Sequence, residues 1–196
     1  MRKTIVFFIS VFFLTAALIA QPPIPDPAKR WVIDDANILD EGTEHTISSL
    51  VQEHFDSTSN QVVVYTFNSL EGSTIEDYAN AIYNKWHLGT KENNNGVLLI
   101  IAVEDHKMRI EVGYGLEKDL TDLETQDIIQ NDIRPKFKEG NYNEGVLNGV
   151  QAILTAIKGT YKSEAGSNDF KMSNRTLFII LLVFTEIGRA SCRERV

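Results

Sequence analysis

The sequence predicts an α/β fold: a three-layer α/β/α sandwich around a mixed four-stranded sheet. Three observations carry this expectation. Runs of β-branched and aromatic residues alternate with segments whose apolar residues recur every three or four positions, the pattern of β-α-β units. Residues 97–103 (VLLIIAV) are apolar without a break, as in a central strand covered on both faces. The next run, 107–113, alternates instead and begins after only Glu104-Asp105-His106, so it returns antiparallel as a hairpin.

Each element follows from local pattern. Residues 31–33 form a short strand. Over 43–55 the apolar residues Ile47, Leu50, Val51 and Phe55 take helical spacing, with Asp40 or Thr43 as cap. Gln61–Phe67 (QVVVYTF) is a buried strand. Ser73-Thr74-Ile75-Glu76 reads as a capping box for a helix running through Trp86, with Ile75, Tyr78, Ala79, Ile82 and Trp86 on one face and Gly89 as its stop. In 107–113, Met108, Ile110 and Val112 point inward and Arg109 and Glu111 outward. Thr121-Asp122-Leu123-Glu124 is a second capping box, opening a helix that ends near Arg134-Pro135. Residues 143–158 are the last helix. The order β-α-β-α-β-β-α-α, with a right-handed crossover between the second and third strands, places helices on both faces.

The flanks are of another kind. Met1-Arg2-Lys3 and the apolar residues 5–20 have the layout of a secretory signal, with an uncleaved anchor as the rival reading. Residues 21–30 are a Pro-rich linker holding four of the five prolines. The domain proper is 31–158, followed by a polar linker at 159–175. Residues 176–185 (TLFIILLVFT) read as the start of a cut transmembrane helix, making the membrane an expected partner through a C-terminal helix. Residues 186–196 (EIGRASCRERV) read as the translation of a sequencing-library adapter. The domain is expected to face the secreted or periplasmic side, anchored to the cytoplasmic membrane.

Composition narrows the function classes. The chain carries −8 net charge, and residues 21–175 alone hold 14 basic against 25 acidic residues. An acidic body lacks the basic face that phosphate backbones require, so no nucleic-acid partner is expected. The one cysteine, Cys192, falls in the adapter-like tail, which leaves no disulfide framework, cysteine zinc site or thiol nucleophile. The histidines at 45, 54, 87 and 106 are scattered, and no nucleophile elbow is present.

Strand direction sorts the acidic residues into two groups. Asn68 and Glu104-Asp105 share one end of the sheet, joined by Asp34 and Asp35 if the first strand is parallel. The other end holds Asn93-Asn94-Asn95-Gly96 and Gly113-Tyr114-Gly115-Leu116-Glu117, with Asp119 and Asp122 behind. Hard cations take six to eight oxygen ligands, and either end supplies carboxylates and amides. Each feature also has a purely structural reading. Asp34 and Asp35 end a strand, residues 93–96 turn into one, and the two glycines serve a bend. Asp122 is a first-turn carboxylate favoured by the helix dipole. Glu117 has the least evident structural task.

From Trp31 to about Ile157 the chain resembles the TPM domain, found in bacterial envelope proteins and in a thylakoid-lumen protein of plants. The matching pieces are Val32-Ile33-Asp34-Asp35-Ala36-Asn37-Ile38-Leu39, Gln61-Val62-Val63-Val64, Trp86-His87-Leu88-Gly89 and Asn95-Gly96-Val97-Leu98-Leu99. The fullest is Arg109-Ile110-Glu111-Val112-Gly113-Tyr114-Gly115-Leu116-Glu117 with Leu120-Thr121-Asp122, followed by Ile133-Arg134-Pro135, Gly140-Asn141-Tyr142 and Gly145. The resemblance implies an α/β/α sandwich outside the cytoplasm, often tethered by a C-terminal helix. It implies divalent-cation binding in some members and acid phosphatase activity in the plant type. Carried over residue by residue, it makes Asp34, Asn95, Glu117 and Asp122 the expected ligands or shell of a divalent cation, Ca²⁺ first and Mg²⁺ second. The leading expectation is a cation-binding envelope factor with an envelope protein as partner. The alternatives are a metal-assisted phosphomonoesterase and a metal-free adaptor.

Overall fold

The computed structural model describes residues 21–160, apart from Ala28. Four strands form one sheet in sequence order: β1 Val32–Asp34, β2 Gln61–Phe67, β3 Gly96–Ala102 and β4 Lys107–Val112. β1, β2 and β3 are parallel, and β4 returns antiparallel on β3. Asp34 lies beside Thr66, Thr66 beside Ile101, and Ile101 beside Met108. The helices are α1 Glu41–Thr58, α2 Ile75–Trp86, α3 Asp122–Ile128, α4 Arg134–Lys138 and α5 Tyr142–Ile157. The expected mixed sheet between helical layers is present.

Burial of β2 and β3 on both faces explains their unbroken apolar sequences. Val62, Val64, Val97, Leu99 and Ile101 pack against Ile47 and Val51 of α1, Ile128 of α3 and Val146, Val150 and Ile153 of α5. Val63, Tyr65, Phe67, Leu98 and Ile100 pack against Tyr78, Ala79, Ile82 and Trp86 of α2. Each such side chain contributes about 1.5–3 kcal/mol of burial. Side-chain oxygens cap the helix starts: Asp40 accepts from Thr43 N, Thr74 from Asp77 N, and Thr121 forms a reciprocal box with Glu124. The α2 cap is therefore Thr74, one residue later than the expected box at Ser73.

The chain steps in one direction from β1 to β3, yet α1 and α2 cover opposite faces. The two crossovers consequently have opposite hands, and one departs from the right-handed rule. The connections leaving β1 and β2 therefore diverge to opposite faces at the carboxyl end of the sheet, the topology at which open α/β sheets hold ligands.

Two expectations are revised. The helix expected from Thr121 to Pro135 is instead α3, a π-helical turn at Ile129–Ile133, and α4, which continues past Pro135. Pro135 has no N–H and its ring crowds the carbonyl four residues back, which the wider turn relieves; Arg134 N bonds to Ile129 O. The Pro-rich segment runs along α2, where the carbonyls of Ile24 and Pro25 accept from Lys85 Nζ and Trp86 Nε1, both at 2.9 Å.

The expected membrane partner is also corrected. Among the described residues no helix is long and apolar enough to cross a membrane. The longest, α1, has 18 residues but buries only one face. Residues 176–185, on which that expectation rested, lie outside the described residues, as do the signal-like 1–20 and the adapter-like 186–196.

Candidate functional site

The loop leaving β4 is pinned to the loop entering β3. Gly113 N donates to Gly96 O at 2.8 Å, and Gly115 N to Asn94 O at 3.1 Å. A Cβ on Gly113 would come within 2.1 Å of Asn94 O, and one on Gly115 within 1.8 Å of Asn93 O. Backbone lies directly on backbone, which only glycine permits. This is the task of the Gly-Tyr-Gly sequence, rather than cradling a phosphate. The chain then winds through successive turns, Leu116 N to Gly113 O and Asp119 N to Leu116 O. Leu116 and Leu120 are buried as anchors, which leaves Glu117 on the outside before Thr121 starts α3.

That winding brings Glu117 and Asp122 to one cavity of about 580 Å³, walled by Arg109, Glu111 and Val112 of β4. Arg109 Nε holds Glu111 Oε2 at 2.7 Å, the only ion pair on this wall among the described residues. The carboxylates of Glu117 and Asp122 make no hydrogen bond or ion pair among the described residues. Asp122 occupies the first turn of α3, where helix dipoles favour negative charge.

The other two expected residues are placed differently. Asn95 is buried behind the loop and fully bonded: Oδ1 accepts from Thr90 N at 2.9 Å, and Nδ2 donates to Ser59 O at 2.7 Å. It ties three turns together at the amino end of β3. Asp34 ends β1 and, because β1 is parallel, lies at the opposite end of the sheet from Glu117. Its Oδ2 accepts from Leu39 N at 2.8 Å and its Oδ1 from the Thr66 hydroxyl. Of the four, only Glu117 and Asp122 come together.

Asp34 lies at the carboxyl end of β1, where the connections leaving β1 and β2 diverge. Nearby, burial and then the Asp34 charge push the Glu44 carboxyl up, against a lowering pull from Arg30. Burial, and then the neighbouring Tyr78 and Asp35, push the Tyr65 phenol far above its ordinary range. Sequence reading passed over Tyr65 and Tyr78 as core positions; the signal was Asp35 lying on the same end of the sheet. From the sequence Arg109 is only a candidate clamp for an anion and Glu111 has no role at the site, although their i, i+2 spacing puts them on one face beside the returning loop.

Among the described residues, no three His, Cys, Asp or Glu side chains gather as a metal-holding group. Two free carboxylates on one cavity fit a hydrated hard cation, which keeps several of its waters, and do not fit a closed zinc site.

The chain shares this architecture with known proteins. In solved structures, the N-terminal domain of a P. gingivalis protein aligns with a TM-score of 0.64 at 27% identity, covering 75% of this chain and all of that one. The BA42 protein of Bizionia argentinensis aligns with a TM-score of 0.54 at 22% identity, covering 67% and 89%. Chloroplastic UPF0603 proteins of Oryza sativa subsp. indica and of Arabidopsis thaliana are each 20% identical over 158 residues, 76% of this chain. The chain spans about half the length of these curated relatives, 53% and 55%. The TPM domain profile matches residues 32–156, nearly the whole of the described fold, and the chain belongs to the TPM domain family.

Proposed function

We propose that this chain is an extracytoplasmic binding domain that takes up a hydrated divalent cation, Ca²⁺ before Mg²⁺, between Glu117 and Asp122, and acts as a binding factor in the envelope. One observation carries the reading: two carboxylates without partners share a cavity of about 580 Å³ with Glu111 on its wall. Oxygen-only donors match a hard cation, and the retained waters complete its shell. The charged start and apolar run at 1–20 support export. Asp34 and Asn95, already bonded, have structural tasks beside any part they take in a cation shell.

Arg109 favours a second reading, a phosphate monoesterase. It lines the same cavity and spends only its Nε on Glu111, so the rest of its guanidinium is free to meet an anion. A bound cation would supply charge to a phosphoryl oxygen there.

Calorimetric titration of the full chain with CaCl₂ and MgCl₂ tests the first reading. Saturable heat, weakened about tenfold or more in Glu117→Ala and in Asp122→Ala, is expected for loss of a charged ligand. No saturable heat from a folded chain sinks it. Turnover of p-nitrophenyl phosphate that depends on both the cation and Arg109 would favour the second reading.

A further inference from the structure

Among the described residues, two further cavities follow the one at Glu117 along the open edge of β4. A middle one of about 310 Å³ shares Arg109 and Asp122 with it, and shares Met108 and Arg134 with a third. The third, about 590 Å³, lies at the carboxyl end of β3 and has no lining residue in common with the first. Its chemistry is the reverse. His106, Arg134 and Lys138 line it together with Met108, Phe137 and Tyr142, and no carboxylate does, in a chain of net charge −8.

A solvated basic patch would be the plain explanation, and the packing argues against it. Phe137 meets Tyr142 edge-on, with ring centroids 4.9 Å apart at 80°. Behind it, Gly145 lets α5 approach so closely that a Cβ would come within 2.6 Å of the Phe137 ring. The aromatic wall is therefore held in place before any ligand arrives. Arg134 follows directly on the π-helical turn, an irregularity that recurs at functional sites. It bonds only the neutral Gln130 Oε1, at 3.0 Å. Among the described residues, Arg134, Lys138 and His106 have no ion pair, whereas the adjacent Lys136 is bonded to Glu144 at 2.9 Å. Three uncompensated donors beside a fixed apolar wall are what an acidic headgroup on an apolar body requires.

We propose that this cavity binds an amphipathic organic anion. Its apolar body rests on Phe137, Tyr142 and Met108, and its carboxylate, sulfonate or phosphate head is held by Arg134, Lys138 and His106.

The test is a residue-resolved NMR titration of the full chain with four probes. Naphthalene-1-sulfonate and octanoate present a head with an aromatic or an aliphatic body. 2-Naphthol presents a body alone and inorganic phosphate a head alone. At least one amphipathic anion is expected to give saturable shifts at Val103, His106, Phe137 and Tyr142. Tighter octanoate binding would identify a lipid-derived ligand, and tighter naphthalene-1-sulfonate an aromatic one. The Arg134→Gln/Lys138→Gln double variant is expected to weaken that binding about tenfold or more with an unchanged circular dichroism spectrum. Absence of saturable shifts at these residues would overturn the proposal. So would 2-naphthol or phosphate binding as tightly as the anions, or undiminished binding by the double variant. If the double variant fails to fold, His106→Gln, in an exposed hairpin turn, provides the same comparison.

Discussion

The Asp34 carboxylate accepts the Thr66 hydroxyl across the β1–β2 pair, and with its other oxygen accepts Leu39 N. Thr66 is fully buried, so the carboxylate satisfies one donor in the core edge and one in the loop that leads to α1. Asp34→Ala strands both donors, at a cost of about 1–3 kcal/mol. Urea denaturation of the variant should show a lower midpoint. Calcium affinity should be unchanged, because the Glu117 cavity is at the other end of the sheet. A loss of affinity without a loss of stability would instead make Asp34 a ligand.

Gly115 is predicted to be intolerant of even one methyl group. An alanine there would meet Asn93 O at a distance no Cβ tolerates, and its relief must part the two loops. The expected cost is about 1–3 kcal/mol, typical of overpacking. Loosening of the loop should also weaken cation binding by displacing Glu117. Thermal melts and calcium titration of Gly115→Ala read the two effects separately.

His54 should make stability fall on mild acidification. Both ring nitrogens are buried without partners among the described residues, and burial, then the Lys158 charge, depress its folded-state pKa below 6.5. The unfolded chain therefore takes up this proton first as pH drops. The stability it allows is complete above about pH 6.5 and is lost as pH falls from there through the depressed folded value. Replacing it by leucine removes that proton uptake. The difference in melting temperature between pH 7 and pH 5.5 should be smaller in His54→Leu than in the parent chain.

Glu44 acts with the opposite sign. Its folded-state pKa is raised, by burial first and by Asp34 next, so its favourable contribution exists below about pH 4.5 and is lost as pH rises through the raised value. Glu44→Gln should melt higher than the parent at pH 7 and no higher at pH 3.5. An equal gain at both values would point to helix propensity instead.

Much of the architecture was legible because local and global signals agree. The unbroken apolar run of β3 and the alternation of β4 set the centre and edge of the sheet. An antiparallel β4 must bring Glu117 and Asp122 back to the start of β3. What resisted reading depended on contacts far apart in sequence. Pro135 looks like a helix stop by local rule, yet Gly145 and Gly149 let α5 pack on Phe137 and Ile133 and carry the helix through. Nothing local in the sequence marks the bonds that Thr90 and Ser59 make to the Asn95 amide. Spacing alone puts Arg109 and Glu111 on one face, but the cavity they wall depends on where the loop after β4 returns. No local pattern distinguished a carboxylate already bonded, such as Asp34, from one left free.

The π-helical turn also corrects helical phase. Ile133 and Phe137 lie against Gly149 and Gly145 of α5, and the buried Thr125 and Ile129 continue the same four-residue row back along the turn and α3. A continuous α-helix advances such a row by about 40° at each step, so Phe137 would arrive well around the cylinder from Thr125. One turn with an extra residue absorbs the drift and returns the ring to face Tyr142 and Gly145. Deleting a single residue from 129–133 would space that row by four, three and four, so a regular α-helix would keep Phe137 on the same face and only the wide turn would be lost. The irregularity is what keeps a four-residue repeat in step.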